Sequence, residues 1–155
     1  MTSPAAQVPS ISTLSSQECY ALLGTRQIGR LGVIADHYPL IIPMNYAIDH
    51  GVLVVRSQPG VKLSNADHAN VTFQVDDIDE ITHSGWTVLV RGLGEEVTPE
   101  HSDQIIQNTR NANLTPWAPH SGSHWMRIIP QEITGRRIYP GTGPHDPPAL
   151  LSAEG

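Results

Sequence analysis

The chain has 155 residues, enough for one hydrophobic core but not two. Its formal charge of −6 argues against generic nucleic-acid binding, and its lone cysteine, Cys19, excludes an intrachain disulfide and fits a reducing compartment. It has no apolar run of membrane-span length and no secretory-signal pattern at the N-terminus, so a cytoplasmic domain without a membrane partner is expected.

Residues 1–10 and 139–155 carry no apolar periodicity, and the second stretch holds Pro140, Pro144, Pro147 and Pro148. Both are expected to be disordered, leaving a globular part over 11–138. Ser15 or Ser16 can cap a short helix, with Glu18 in capping-box spacing from Ser15. Leu14, Tyr20, Leu22 and Leu23 supply its apolar face, and Gly24 ends it. Cys19 reads as a small buried hydrophobe rather than a nucleophile, because nothing nearby would lower its pKa.

From Ile28 the pattern becomes β. Strands are expected over 28–35, 40–48 and 52–57, with turns at Asp36-His37-Tyr38-Pro39 and Asp49-His50-Gly51, the signature of an antiparallel meander. Pro43 cannot donate to a ladder, so it predicts an edge, a bulge or a break in the second strand, either beside a site or as a plain edge. Pro59-Gly60 interrupts the sheet, and 61–68 has room only for a short helix. A strand over 71–75 leads to an acidic turn, Asp76-Asp77-Ile78-Asp79-Glu80, and a strand over 86–92 continues through 95–97. Pro99 is expected to begin a helix running to Asn111. Residues 125–129 and 133–138 form two last strands or one bent strand. Six or seven strands with peripheral helices and no βαβ alternation predict a mainly-β, closed or half-closed small barrel.

The segment Arg56-Ser57-Gln58-Pro59-Gly60-Val61-Lys62 gathers a guanidinium, a hydroxyl, a glycine turn and an ammonium where a strand enters a short helix. Phosphate recognition asks for this set of donors, although the glycine spacing of a Walker loop is absent. Lys62 is the single lysine against eight arginines, a hint that a compact ammonium is wanted there. His37, His50, His68, His83 and His101 fall in turns or beside helix ends. His120 and His124 share a loop but have no third ligand nearby, so no metal site is expected. Trp117 and Trp125 lie in or next to loops, where they would suit an aromatic wall for a planar ligand. No nucleophile–base set stands out, so any catalysis would borrow its chemistry from a cofactor.

The ordered series Ile28-Gly29-Arg30-Leu31, Pro43-Met44-Asn45-Tyr46, Pro59-Gly60-Val61-Lys62-Leu63, Phe73-Gln74-Val75-Asp76-Asp77-Ile78-Asp79, Gly85-Trp86-Thr87-Val88-Leu89-Val90-Arg91-Gly92, Pro116-Trp117 and Ile133-Thr134-Gly135-Arg136-Arg137-Ile138 resembles the pyridoxamine 5′-phosphate oxidase-like proteins. The branch is the one that includes nitroimidazole-resistance-type reductases. The resemblance implies a six- to seven-stranded antiparallel split β-barrel, a homodimer with flavin sites at the subunit interface, and oxidoreductase action on a small substrate. It implies FMN, with FAD, a deazaflavin or haem as alternatives, and a non-enzymatic carrier or sensor as the rival function. By position, Lys62 would hold the phosphate with Arg56 and Ser57 near it. Met44 and Asn45 would lie along the isoalloxazine, Gln74 near it, and Trp117 or Trp125 of a partner subunit would cover it. Two departures stand out: the substrate-binding C-terminal pattern of true pyridoxamine 5′-phosphate oxidases is not evident, and Gln74 replaces an expected acidic residue. No catalytic acid or base is assigned.

Overall fold

The computed structural model describes residues 8–56, 63–112, 114 and 124–141. Seven strands run in chain order: β1 (Ser10–Thr13), β2 (Ile28–Ala35), β3 (Tyr38–Asp49), β4 (Val52–Arg56), β5 (Asn70–Asp79), β6 (Ser84–Glu96) and β7 (Trp125–Tyr139). Helix α1 (Ser16–Leu23) follows β1, and α2 (Asp103–Asn111) lies between β6 and β7. All pairings are antiparallel, in the order β1-β7-β4-β3-β2-β5-β6, and a further β6–β7 ladder closes the sheet on itself. This is the mainly-β split barrel that the sequence implies.

Local chemistry explains the first hairpins. Asp36 and His37 have φ of 51° and 70°, and His50 and Gly51 have φ of 47° and 81°, so both connections are two-residue loops with left-handed central residues. That handedness matches the twist of the flanking strands. The first turn is thus shorter than expected, and Tyr38 and Pro39 belong to β3. Ser15 caps α1 by accepting the Glu18 N–H at 3.2 Å, as its spacing predicts.

Other expectations shift. Asp76 to Asp79 are not a turn but the end of β5, paired in full with β6 from Asp76↔Thr87 to Asp79↔Ser84. This end of the strand is largely exposed, and Asp76 and Asp77 pair with Arg30 and Arg26. The α2 helix starts after Ser102, whose hydroxyl accepts the Ile105 N–H, rather than at Pro99. The preceding loop is instead fixed by His101, whose Nδ1 accepts the Thr98 N–H at 3.1 Å while Nε2 lies 2.6 Å from Glu95. The last two strand segments are one strand, β7, whose irregularity is absorbed opposite Arg91/Gly92 of β6. A side chain at Gly92 would meet the Ile129 carbonyl oxygen at 2.3 Å, so the bulge needs glycine there. The exposed strand β1, pairing Ser10–Thr13 with Arg136–Tyr139, has no apolar alternation to announce it. It begins inside the expected N-terminal tail, and Tyr139 lies in β7, inside the expected C-terminal one.

The inward residues of the barrel form one core that includes Leu31, Met44, Tyr46, Leu53, Val55, Phe73, Val75, Val88, Val90, Met126 and Ile128. Tyr46 meets Phe73 edge-on at 5.3 Å and donates its hydroxyl to the Leu23 carbonyl, tying α1 to the barrel. Burial pushes the Tyr46 phenol up to about 12, so it stays a donor at any ordinary pH. Cys19 is buried beside Gly135, and its thiol is pushed up by burial and then by the Glu18 charge, in line with an inert core residue.

A second, smaller layer covers the outside of β3, β4 and β7. Ala47, Val54 and Arg127 are neighbours in register there, and Val54 is fully buried. Arg127 donates to Asp49 at 2.9 Å and to the Thr109 hydroxyl of α2 at 2.9 Å. Thr109, the one buried residue of α2, in turn donates to the Ile105 carbonyl. Burial pushes the Asp49 carboxyl up, but hydrogen bonds from His50 and Arg127, together with the Arg127 charge, outweigh it and leave the group below its ordinary value.

Two outcomes follow from this clasp. Arg127→Met should destabilise the protein by about 3 kcal/mol in urea unfolding, because the buried Asp49 carboxylate loses its arginine partner and keeps only the exposed His50. The stability that Asp49 contributes is whole above its ordinary pKa of 3.8 and drains away as pH falls through the lowered native value. Urea midpoints followed from about pH 6 to about pH 2 should therefore show the gap between the parent and Asp49→Asn closing at the acid end.

Candidate functional site

Strand pairing leaves part of β3 open. Its first half pairs with β2 from Tyr38↔Ala35 to Asn45↔Ile28, whereas β4 joins its other side only from Tyr46↔Val55 onward. Among the described residues no strand pairs with Tyr38–Asn45 on that second side, so Pro43 stands at an edge. Proline is tolerated there because its missing N–H deprives no neighbouring strand.

The end of β4 flanks this opening. Arg56 is the residue beyond the last β3–β4 pair, which sets it beside Asn45, and it is opposite Trp125 in the β4–β7 ladder. Its guanidinium lies 5.0 Å from the centre of the Trp125 ring, a cation–π contact. Arg56 Nε is buried and finds no hydrogen-bond partner among the described residues. Such a donor is costly unless something accepts from it. Asn45 is 7% exposed and donates to the Gln27 carbonyl at 3.3 Å, so its amide is oriented by the β2 approach.

Met44 behaves differently from its neighbour. Strand alternation turns it inward, and it is 3% exposed in the barrel core, so only its main chain borders the open edge. Gln74 lies two strands away, in the row Gln74–Arg30–Pro43 across β5, β2 and β3. Its Oε1 accepts from Arg30 at 3.2 Å and its Nε2 donates to Asp76 at 2.7 Å. A carboxylate at position 74 would press like charge against Asp76, which gives a physical reason for the amide. Ser57, Lys62 and Trp117 lie outside the described residues.

The structure thus brings Asn45, Arg56 and Trp125 together at one end of the barrel and leaves Gln74 on the same outer surface but apart from them. Sequence reasoning missed the α2 wall that completes this end. A cleft of about 310 Å³ runs between α2 and the barrel, lined by Val97, Thr98, Pro99, Asp103, Ile106, Thr109, Arg110 and Trp125. The only available signal was the alternation of Trp125 and Arg127 with core residues, which places both on the outer face but does not say what covers them.

Histidines stay in the roles expected of turn residues: His37, His50, His68 and His83 have positive φ. His124 Nδ1 lies 2.6 Å from Glu96. Among the described residues no group of three or more His, Cys, Asp or Glu is placed to hold a metal, and no helix is long and apolar enough to cross a membrane.

Comparison with known proteins agrees with this geometry. The FAD binding protein from Mycobacterium smegmatis superposes with a TM-score of 0.70 at 34% identity, over 81% of this chain and 98% of that one. A FAD-binding protein from Mesorhizobium loti superposes with a TM-score of 0.66 at 26% identity, over 84% of this chain and 98% of that one. The Mycobacterium tuberculosis protein Rv0080 is 29% identical over 131 residues, 81% of this chain and 84% of its own length. The sequence pattern described as pyridoxamine 5′-phosphate oxidase matches residues 15–137, nearly all of the barrel. The chain belongs to the pyridoxamine 5′-phosphate oxidase family.

Proposed function

We propose that this protein binds a flavin through its ring, ribityl and phosphate portion, the whole of FMN, and uses it as an oxidoreductase on a small substrate. The observation that carries the reading is the buried Nε of Arg56, which has no partner among the described residues and is stacked on Trp125 at the end of the strand that precedes Ser57–Lys62 in sequence. A phosphate or ring oxygen would supply the acceptor that this donor lacks, and the surroundings fit a flat, partly apolar ligand with an anionic tail. Two relatives described as FAD-binding support the same class of cofactor.

Within this reading each side chain has a definite task. Lys62 and Ser57 meet the phosphate, joined by Arg56, which Trp125 holds in place. Asn45 and the Met44 main chain line the open β3 edge, where a ring replaces the missing strand. Gln74 and Arg30 present polar groups on the adjoining surface. When bound, the flavin supplies hydride or electron acceptance at its N5 position. The protein binds, orients and keeps water away from that position; no side chain is given a proton to move.

A second copy of the chain completes the site in this proposal. Ile34, Tyr38 and Ile41 of the β2–β3 hairpin are 62%, 75% and 69% exposed, and they adjoin the open edge. Apolar surface of this kind beside a half-open ligand site suits a homodimer interface. Ile41→Lys should shift the protein from dimer to monomer in sedimentation velocity and weaken flavin retention with it. A monomeric parent would remove the partner subunit from the site.

Visible absorption of the purified protein, before and after addition of FMN and desalting, tests the cofactor. Retained flavin bands are expected; a single sharp haem band, or no band, would overturn the reading. Lys62→Ala should weaken FMN binding by about 1.5–3 kcal/mol, the range for a hydrogen bond to a charged group. Fluorescence titration reads this directly, and unchanged affinity removes Lys62 from the phosphate site. Turnover with reduced nicotinamide and an electron acceptor separates the oxidoreductase from a non-enzymatic flavin carrier.

A further inference from the structure

Two clefts meet beside Asn45. One, of about 340 Å³, has Arg26, Gln27 and Asn45 in its lining. Its neighbour, of about 390 Å³, is lined by Thr25, Arg26, Gln27, Ile28, Arg30 and Asp76, so Arg26 and Gln27 belong to both. Arg30 alternates with the buried Gly29 and Leu31 and therefore stands on the outer face of β2. Register carries it to the open edge, since Ile28 is opposite Asn45 and Arg30 is opposite Pro43. From this arrangement we infer that Arg30, with Arg26 in the same cleft, seats the carboxylate of a flat organic acid, and that acids of this class are the substrates met by the flavin. The inference rests on the flavin reading above and supplies its substrate class.

Only one corner of the Arg30 guanidinium is engaged. Its Nη1 donates to Gln74 Oε1 at 3.2 Å and lies 3.5 Å from Asp76, and Gln74 Nε2 donates to the same Asp76 carboxylate at 2.7 Å. Nε and Nη2 donate to no described residue, and the side chain is half exposed. The Asp76–Gln74 chain thus steadies one end of a planar fork and leaves its other donors to a ligand. Parallel N–H donors on a flat cation match a carboxylate in bidentate fashion. Arg26 lies 3.5 Å from Asp77 in a half-exposed ion pair, a kind worth little in water, so it can turn toward an incoming anion at small cost.

Charge and shape narrow the class. Asp76 and Asp77 each stand beside one of the arginines, so a planar monoanion can take the open donors of Arg30, whereas a dianionic phosphate would meet two like-charged carboxylates. Gln74 keeps that balance: its amide orients Arg30 without adding charge, and a carboxylate in its place would set a second acid against the fork. Ile28 and Pro43 give the outer face an apolar strip between the arginines and the edge. Neighbouring strands lie about 4.8 Å apart, so one six-membered ring with its carboxylate on Arg30 reaches across Pro43 to the unpaired side of β3.

The test titrates benzoate, benzamide and phenyl phosphate into the full-length protein by calorimetry, once stripped of flavin and once with flavin saturating. The parent should bind benzoate about tenfold or more tightly than either of the other two. Benzoate should also shift the visible bands of the bound flavin. Arg30→Ala should weaken benzoate by about tenfold or more, and Arg30→Lys should recover only part of the loss, because an ammonium lacks the fork. Gln74→Glu should weaken benzoate by about tenfold. Equal affinities for benzoate and benzamide would overturn the inference, as would parent-like benzoate binding in Arg30→Ala or Gln74→Glu. Benzoate binding that leaves the flavin bands unmoved would put the anion away from the ring and overturn the substrate assignment. Failure to take up any flavin would sink the flavin reading instead, and it is read separately from the benzoate titration of the stripped chain. Arg30 is half exposed and outside the core, so its variants keep the barrel packing intact.

Discussion

Closure of the sheet through β7 is the constraint on which the rest of the molecule depends. One 15-residue strand pairs with β4 along Trp125–Ile128, with β6 over nearly its whole length, and with β1 at its far end. Without that shared strand, β4 and β6 would both be bare edges and the inner faces of Leu53, Val55, Val88 and Val90 would lose their partners. Closure on this scale requires close backbone approach where the ladders converge. A side chain at Gly94 would come within 2.2 Å of the Ala66 carbonyl oxygen, and one at Gly92 would strike Ile129. The core is therefore assembled from many non-local pairings, none of which is stable alone.

Closing the barrel at β7 also determines where it stays open. β3 is 12 residues long and β4 only five, so the first half of β3 outruns its neighbour. Pro43 sits in that overhang. The unpaired length ends at Asn45, where Arg56 and Trp125 arrive from β4 and β7. The opening is thus a consequence of one mismatch in strand length, and Asn45, Arg56 and Trp125 beside it ride on ladder positions.

The polar layer under α2 gives the outer surface its shape. Burying Arg127 and Asp49 costs solvation, which their mutual hydrogen bond and the bonds to Thr109 and His50 offset. Apolar packing alone would hold α2 loosely, since Thr109 is its only buried residue. A directional clasp specifies one seat for the helix, and with it the width of the cleft beside Trp125.

Much of this was legible in the residues. The existence of the two hairpins, the Ser15 cap, the buried Cys19 and the barrel class were legible from local patterns, whereas the two-residue length of the first turn was not. Pro43 announced an edge, a bulge or a break because a missing N–H is a local fact, and the register of β3 makes it an edge. Arg56 and Trp125 were visible as candidates, but their stacking was not, since 69 positions separate them and only ladder register sets them opposite. The same holds for Asp49 with Arg127, 78 residues apart, which read as a turn residue and an ordinary strand residue. The acidic run at the end of β5 looked like a turn because its charges dominate its pattern, whereas continuous pairing with β6 decides its conformation. Sequence determines what each residue can do locally; which distant residues share a face, and what covers that face, is decided only when the sheet closes and fixes register.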